Sequence, residues 1–312
     1  MSSPSTPAGH HHHSHLMPPP PSGSPRRVAS ALALIVAFMI AEVVAGVLAN
    51  SLALISDAGH MLTDAAALAV SLVALRMVMR PAAGSLTYGL RRVETLAAQI
   101  NGATLLVVAV AVLYAAIRRL ISPPHVSPWP MIIVGLAGIA VNGTATYALA
   151  GAGRESLNVE GSFQHILTDL FAFVGTVIAG LVILLSGLDR ADPIVSILVA
   201  ALMLRSAAML LGATGRIFLE AAPAGLDPAE IGHALAAAPE VVEVHDLHVW
   251  EVGSGFPALS AHVLVKPHAD CHAIRRSLEV LLRERFELTH STLQVDHAGG
   301  DELIELQPPR SA

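Results

Sequence analysis

The sequence predicts an α-helical membrane protein: six transmembrane helices, then a small α+β domain in the order α-β-β-α-β. Three observations carry that prediction. The 312-residue chain is 54% hydrophobic and only 13% charged, about half the charge of an ordinary soluble domain, and its mean hydropathy is +0.62. Six apolar stretches follow one another, each of about 20 residues or more and so able to cross a hydrocarbon core ~30 Å thick. From about residue 223 the pattern changes to amphipathic and alternating segments, the periods of soluble helices and strands. This balance excludes a disordered chain and a coiled coil. The single cysteine, Cys271, excludes a disulfide scaffold and a Cys-based zinc finger. A net charge of −6 argues against nucleic acid as a partner.

Residues 1–25 are mostly Ser, Pro and His and lack the bulky apolar side chains a core needs, so they are predicted to be a disordered tail. The tail carries His10 to His13 and His15, a run able to bind metal weakly. It is not a secretory signal, because the apolar run begins only after Arg26-Arg27 and no small-residue cleavage site follows. The predicted spans are 28–49, 52–75, 95–117, 129–150, 163–186 and 191–211, within a transmembrane domain of residues 26–215. Turn-forming separators stand between them, among them Asn50-Ser51, Ser122-Pro123-Pro124 and Gly187 to Asp189. A soluble bundle would need charged helix faces to meet water, and these stretches have none.

An even number of spans puts both termini on one side. Arg26, Arg27, Arg76, Arg80, Arg91, Arg92, Arg154, Arg205 and Arg216 fall on that side, against Arg118, Arg119 and Arg190 on the other. Basic residues accumulate on the cytoplasmic side, so both termini are expected in the cytoplasm and the chain in an inner (plasma) membrane.

Residues 216–312 form the predicted cytoplasmic domain. Residues 226–237 read as a helix with Asp227 as N-cap and Pro228 in the first turn. Residues 241–252 alternate as a strand does, Gly253-Ser254-Gly255 signals a hairpin, and 258–265 is the return strand. Residues 269–286 form an amphipathic helix with Ile274, Leu278, Leu281 and Leu282 on one face, and 291–296 a last strand.

Ionisable residues inside spans are functional candidates by default. Two segments stand out: His60-Met61-Leu62-Thr63-Asp64 in the second span and His165-Ile166-Leu167-Thr168-Asp169 in the fifth. The same H-x-L-T-D occurs twice, 105 residues apart. Spacing of i,i+4 puts each His and Asp on one helix face. If the two helices face each other, two imidazoles and two carboxylates converge, a set that tetrahedral Zn²⁺ accepts. Two Asp anions and one dication are neutral together. An empty site with both Asp ionised is costly, so protons are expected to replace the metal, with His a natural exchanging group. No H-E-x-x-H occurs, which argues against a membrane zinc protease. Four protein ligands also leave no open coordination position for an enzyme's chemistry. Glu42 and Asp57 fit structural or supporting roles, and Asn101 and Asn142 fit helix–helix contacts.

With these residues the chain resembles the cation diffusion facilitator family, in its zinc-exporting branch. The matching segments are Ser51 to Asp64 (SLALISDAGHMLTD), Thr87 to Ala97 (TYGLRRVETLA), Ser156 to Asp169 (SLNVEGSFQHILTD) and His245 to Trp250 (HDLHVW). The resemblance runs from about residue 28 to about 297. It implies a six-helix membrane domain with a ferredoxin-like cytoplasmic domain, a homodimer, and proton-coupled metal antiport. His60, Asp64, His165 and Asp169 match the family's transport quartet. Histidine at the position of His60 is associated there with preference for zinc over cadmium. The loop after the second span lacks the histidine that relatives often carry beside Tyr88-Gly89. The short Gly151 to Asn158 loop lacks a His-rich insert, as in bacterial exporters.

In the cytoplasmic domain, His245 and His262 lie on the two arms of the hairpin. A two-residue Gly253-Ser254 turn places them opposite, a Ser254-Gly255 turn diagonally, and both keep them on one face. The resemblance implies a regulatory Zn²⁺ site at these positions with a third ligand from the last strand. Asp296 matches that position, Gln294 stands where some relatives have His, and His272 is a further candidate. The resulting expectation is a Zn²⁺/H⁺ antiporter in the lipid bilayer that exports cytosolic zinc by alternating access, and not an enzyme. Two alternatives stay open: an exporter of Co²⁺, Cd²⁺, Ni²⁺ or Fe²⁺ through the same site, and a membrane-anchored metal sensor without transport.

Overall fold

The computed structural model describes residues 24–48, 52–123, 127–152 and 156–299; the side chains of Glu42, of residues 45–48 and 52–60 and of Thr63 also lie outside that description. Six long helices come first: α1 (Pro25–Leu48), α2 (Leu52–Val78), α3 (Arg91–Ile121), α4 (Pro128–Ala150), α5 (Leu157–Ser186) and α6 (Ala191–Phe218). They are followed by α7 (Pro228–Ala236), β1 (Val241–Glu251), β2 (Pro257–Val265), α8 (Cys271–Phe286) and β3 (His290–His297). The order matches the expected one throughout.

Helix ends differ from the predicted spans where polar residues extend the helix beyond its apolar stretch. α5 begins at Leu157, six residues before the predicted span, because Ser156 caps it by accepting a hydrogen bond from Val159 N at 3.2 Å. α6 continues to Phe218, past the expected boundary at 215. α1 starts at Pro25, inside the stretch assigned to the tail, with Pro at the first position, where its missing N–H costs nothing. The tail itself, with His10 to His13 and His15, lies outside the described residues. Arg205 sits midway along α6; without it the basic residues still divide eight to three. Arg118 and Arg119 occupy the last turn of α3, where cations stabilise the negative end of the helix dipole.

The chain divides into two units. One holds the six long helices and the hairpin tip Val249–Pro257. Its main core packs α1, α2, α4 and α5 through Ile35, Leu68, Leu75, Leu149 and Ile166. A second cluster joins α3 to α6 through Leu105, Ala109, Met203 and Ala207. Among the described residues, four helices, α3 to α6, are long and apolar enough to cross a membrane. Their outer faces carry bare apolar side chains: Leu185 is 86% exposed and Tyr147 83%. Such a surface suits hydrocarbon and not water. Where α4 meets α5, glycine replaces bulk. A Cβ on Gly135 would fall 2.6 Å from Val177 Cγ2, and one on Gly138 would strike the Phe173 ring. Small residues let helix backbones approach closely in membranes. At the hairpin tip, the Arg91 guanidinium lies 4.4 Å from the centre of the buried Phe256 ring.

The other unit holds α7, α8, β3 and most of β1 and β2. The sheet order is β1-β2-β3, with β2 and β3 parallel and joined through α8. Alternate residues of β2 (Leu259, Ala261, Val263, Val265) are buried, as are Ile274, Leu278 and Leu282 of α8 and Ile231 and Leu235 of α7. His262 and its register partner Gln294 fall on the opposite alternation.

Two expected outcomes follow from this packing. Gly138→Val should lower thermal stability in detergent by roughly 1–3 kcal/mol through overpacking, and adding Phe173→Ala should recover part of the loss. Asp270 caps α8 by accepting from Ala273 N at 2.9 Å and His272 N at 3.0 Å. These bonds, that from Ala273 foremost, hold its carboxyl below the usual carboxylate range. A depressed folded value stabilises above the unfolded pKa of about 3.9 and is lost as pH falls through the folded one. The protection factors of α8 amides, observed exchange relative to the intrinsic rate at each pH, should therefore fall in acid, and less so in Asp270→Asn, which caps without titrating.

Candidate metal centre

The two H-x-L-T-D segments occupy equivalent places in their helices. His60 and Asp64 are the ninth and thirteenth residues of α2, and His165 and Asp169 the ninth and thirteenth of α5. Each pair is therefore one turn apart and well inside its helix. α2 and α5 bring three of the four together. His165 Nε2 lies 2.7 Å from Asp64 Oδ1 across the helix pair and 3.7 Å from Asp169 Oδ2 along α5. One ligand atom from each of Asp64, His165 and Asp169 lies within 4.8 Å of the others. All three residues are buried, at 5%, 9% and 5% exposure. The side chains of His60, Asp57 and Glu42 lie outside the described residues.

Three buried N/O donors this close can hold one cation. Thr168 faces its own helix, its hydroxyl donating to Gln164 O at 2.7 Å. Gly161 keeps α5 close to α6: a Cβ there would meet Leu210 Cδ2 at 2.8 Å. A small cavity of about 10 Å³, roughly the size of one water molecule, borders the cluster, lined by Asp64, Asn101, Ser162 and His165 among others.

Beyond this cavity lies a polar network that sequence reading did not assemble. Ser71 Oγ donates to Asn158 Oδ1 at 2.9 Å and lies 2.6 Å from Ser162 Oγ. Asn158 Nδ2 donates to Ser71 O at 2.9 Å, and Asn101 Nδ2 to Ser71 Oγ at 3.1 Å. Asn101 thus bridges helices as expected. Asn142 does not by its bond to Gly138 O at 3.1 Å, which stays within α4. Small hydroxyls in apolar spans read as packing residues. The available signal was spacing: Ser71 is seven residues after Asp64 and Ser162 three before His165, on the same helix faces as the ligands.

In the cytoplasmic unit, the His245 and His262 ring centres are 5.2 Å apart. The third member of that cluster is Asp246, whose carboxylate lies 3.7 Å from His245 Nδ1. The other proposed residues sit elsewhere. Asp296 accepts from Gln294 Nε2 at 2.8 Å, and His272 lies in the first turn of α8; neither joins the cluster among the described residues. The turn also differs from both two-residue alternatives. Val252 N donates to Phe256 O and Phe256 N to Gly253 O, with Gly255 at φ 70°, a three-residue loop with its glycine left-handed. In regular strands that loop would send His245 and His262 to opposite faces. Asp246 has φ 49°, which breaks the alternation as a bulge does and returns His245 to the face of His262. Asp tolerates this conformation better than most residues.

Loss of the network has a measurable cost. Asn158→Val should lower stability by about 1–3 kcal/mol, because Ser71 loses one of its buried partners at both its hydroxyl and its carbonyl. In a double-mutant cycle with Ser71→Ala the two losses should fall short of adding, since both act on one network; strict additivity would contradict the network.

Comparison with known proteins agrees with this architecture. Residues 28–219 match the family model for the cation efflux transmembrane domain, and residues 223–298 that for the cation efflux protein cytoplasmic domain. The chain is 39% identical over 274 residues to the zinc transporter ZitB of Escherichia coli, covering 87% of each chain. It is 34% identical over 270 residues to a cadmium, cobalt and zinc/H(+)-K(+) antiporter of Bacillus velezensis, covering 85% of this chain and 86% of that one. Among solved structures it is similar to the metal-bound C-terminal domain of the CzcD transporter from Cuprividus metallidurans, at 32% identity and a TM-score of 0.22, over 22% of this chain and 97% of that one. With both of its parts matched and relatives aligned along most of its length, the chain belongs to the cation efflux family, the cation diffusion facilitators.

Proposed function

We propose that this protein exports Zn²⁺ from the cytoplasm in exchange for protons. The single observation that carries the reading is the convergence of Asp64, His165 and Asp169 inside the helical bundle. On this reading the three, with His60 one turn before Asp64, hold the transported ion. Mixed imidazole and carboxylate ligands suit Zn²⁺ better than hard, oxygen-seeking cations. The names of the relatives, a zinc transporter and a zinc/H(+)-K(+) antiporter, support the same cargo and counter-ion. Charge balance supports exchange. Two carboxylates neutralise the dication, and protons keep the emptied site from carrying bare charge in a low-dielectric interior.

The wider assignment has three parts: a tail over residues 1–25, a transmembrane domain over 26–215, and a cytoplasmic domain over 216–312 that pairs two copies of the chain. Both termini face the cytoplasm and the membrane is the inner one, as the arginine distribution supports. The His245–Asp246–His262 cluster is a second, regulatory Zn²⁺ site on the cytoplasmic domain. Asp246, which sequence reasoning did not single out, takes the place proposed for Asp296 or His272.

Everted membrane vesicles test the transport reading. An acidic lumen should drive ⁶⁵Zn²⁺ uptake, and collapsing the pH gradient should stop it. Asp64→Ala and Asp169→Ala should each fall to the background of protein-free membranes. Wild-type rates in those variants would overturn the site assignment. For the second site, His245→Ala with His262→Ala should remove about one bound zinc per chain, measured by elemental analysis of the purified protein. An unchanged zinc content would contradict that site.

A further inference from the structure

The candidate site has different surroundings towards the two ends of the helical bundle. Towards the end where α1 begins and α6 finishes, the Ser71, Asn101, Asn158 and Ser162 network ties α2, α3 and α5 together. Towards the opposite end, Asp169 opens onto a cavity of about 130 Å³ between α3, α5 and α6. Valines of α3 and α6 make much of its wall, and its polar lining is Asp169, Thr176, Asp192 and Ser196. That leaves room for several water molecules and so for an ion that keeps part of its hydration.

The chemistry of that lining is one-sided. The Thr176 hydroxyl donates to Ala172 O at 2.9 Å and the Ser196 hydroxyl to Asp192 O at 3.0 Å. Both protons are committed to the helices, so the hydroxyl oxygens have only lone pairs left to offer. With two carboxylates, the cavity presents oxygen acceptors, a lining for a cation. Asp192 is the second residue of α6, and its carboxylate lies 3.6 Å from Arg119 Nη1 in the last turn of α3. That separation exceeds a hydrogen bond, and the Arg119 side chain is 59% exposed. The pair is a loose one that an arriving dication can displace.

We propose that this cavity is the exit vestibule and that Asp192 is an oxygen ligand that receives the ion from Asp169 on the outward side, with Arg119 as its resting counter-ion. The assignment rests on the transport reading above. It makes physical sense of the order of ligands: an oxygen-only set holds Zn²⁺ less firmly than a mixed imidazole and carboxylate set, which favours release.

The test is one of sidedness. Zinc uptake is measured in everted and in right-side-out membrane vesicles, so that zinc meets one face at a time. Asp192→Asn should raise the half-saturating zinc at the outward face about ten-fold and leave the cytoplasmic face within about two-fold. Asp192→Glu keeps the carboxylate and should hold the outward value near wild type, which guards against a folding failure in the Asn variant. An unchanged outward value in Asp192→Asn would overturn the proposal. So would an equal rise at both faces, the mark of a general structural fault. If the wild-type protein carries no zinc from either face, the transport reading itself fails and the vestibule with it.

Discussion

The contact between His165 Nε2 and Asp64 Oδ1 at 2.7 Å is the constraint around which the helical unit is organised. Ionisable groups inside an apolar bundle are expensive, and they persist where they pair with one another or with a cation. Two helices must then lie face to face in one register, because a shift of a single residue would rotate Asp64 about 100° from His165. The packing around the pair serves that register. Gly161 lets α5 close on α6, Gly135 and Gly138 let α4 close on α5, and Leu68 and Ile166 fill the core beside the ligands.

Polarity is distributed with equal economy. On one side of the site, four small polar side chains satisfy one another and knit α2, α3 and α5. On the other, a cavity reaches Asp169. On the transport reading, a site with hydrogen bonds on one side and space on the other corresponds to one half of an alternating-access cycle. The other half requires the Ser71–Asn158–Ser162 contacts to part, and each is a single modest bond in a membrane setting, weak enough to be broken in turn.

Much of this was legible in the sequence. Six apolar runs of spanning length become six helices, and the repeated H-x-L-T-D contains the three described residues that meet, Asp64, His165 and Asp169, because i,i+4 spacing and a rare ionisable residue are both local signals. Asp227 announces the cap of α7 for the same reason. What was not legible depends on partners far along the chain. Ser71 and Asn158 are 87 residues apart and acquire meaning only once α2 and α5 are paired. The left-handed Asp246 depends on how a three-residue loop sets the register of two strands. The early start of α5 depends on Ser156, whose capping role is hidden in a polar stretch before the apolar run.

The most direct test of the central claim is X-ray absorption at the zinc edge. It should be made on full-length protein loaded with one zinc per chain and carrying His245→Ala and His262→Ala, so that only the membrane site contributes. The account predicts about four N/O neighbours at roughly 2.0–2.1 Å with the outer-shell scattering of two imidazoles. A first shell without imidazole scattering, or one made of more than four oxygens, would contradict a site built from the two His–Asp pairs.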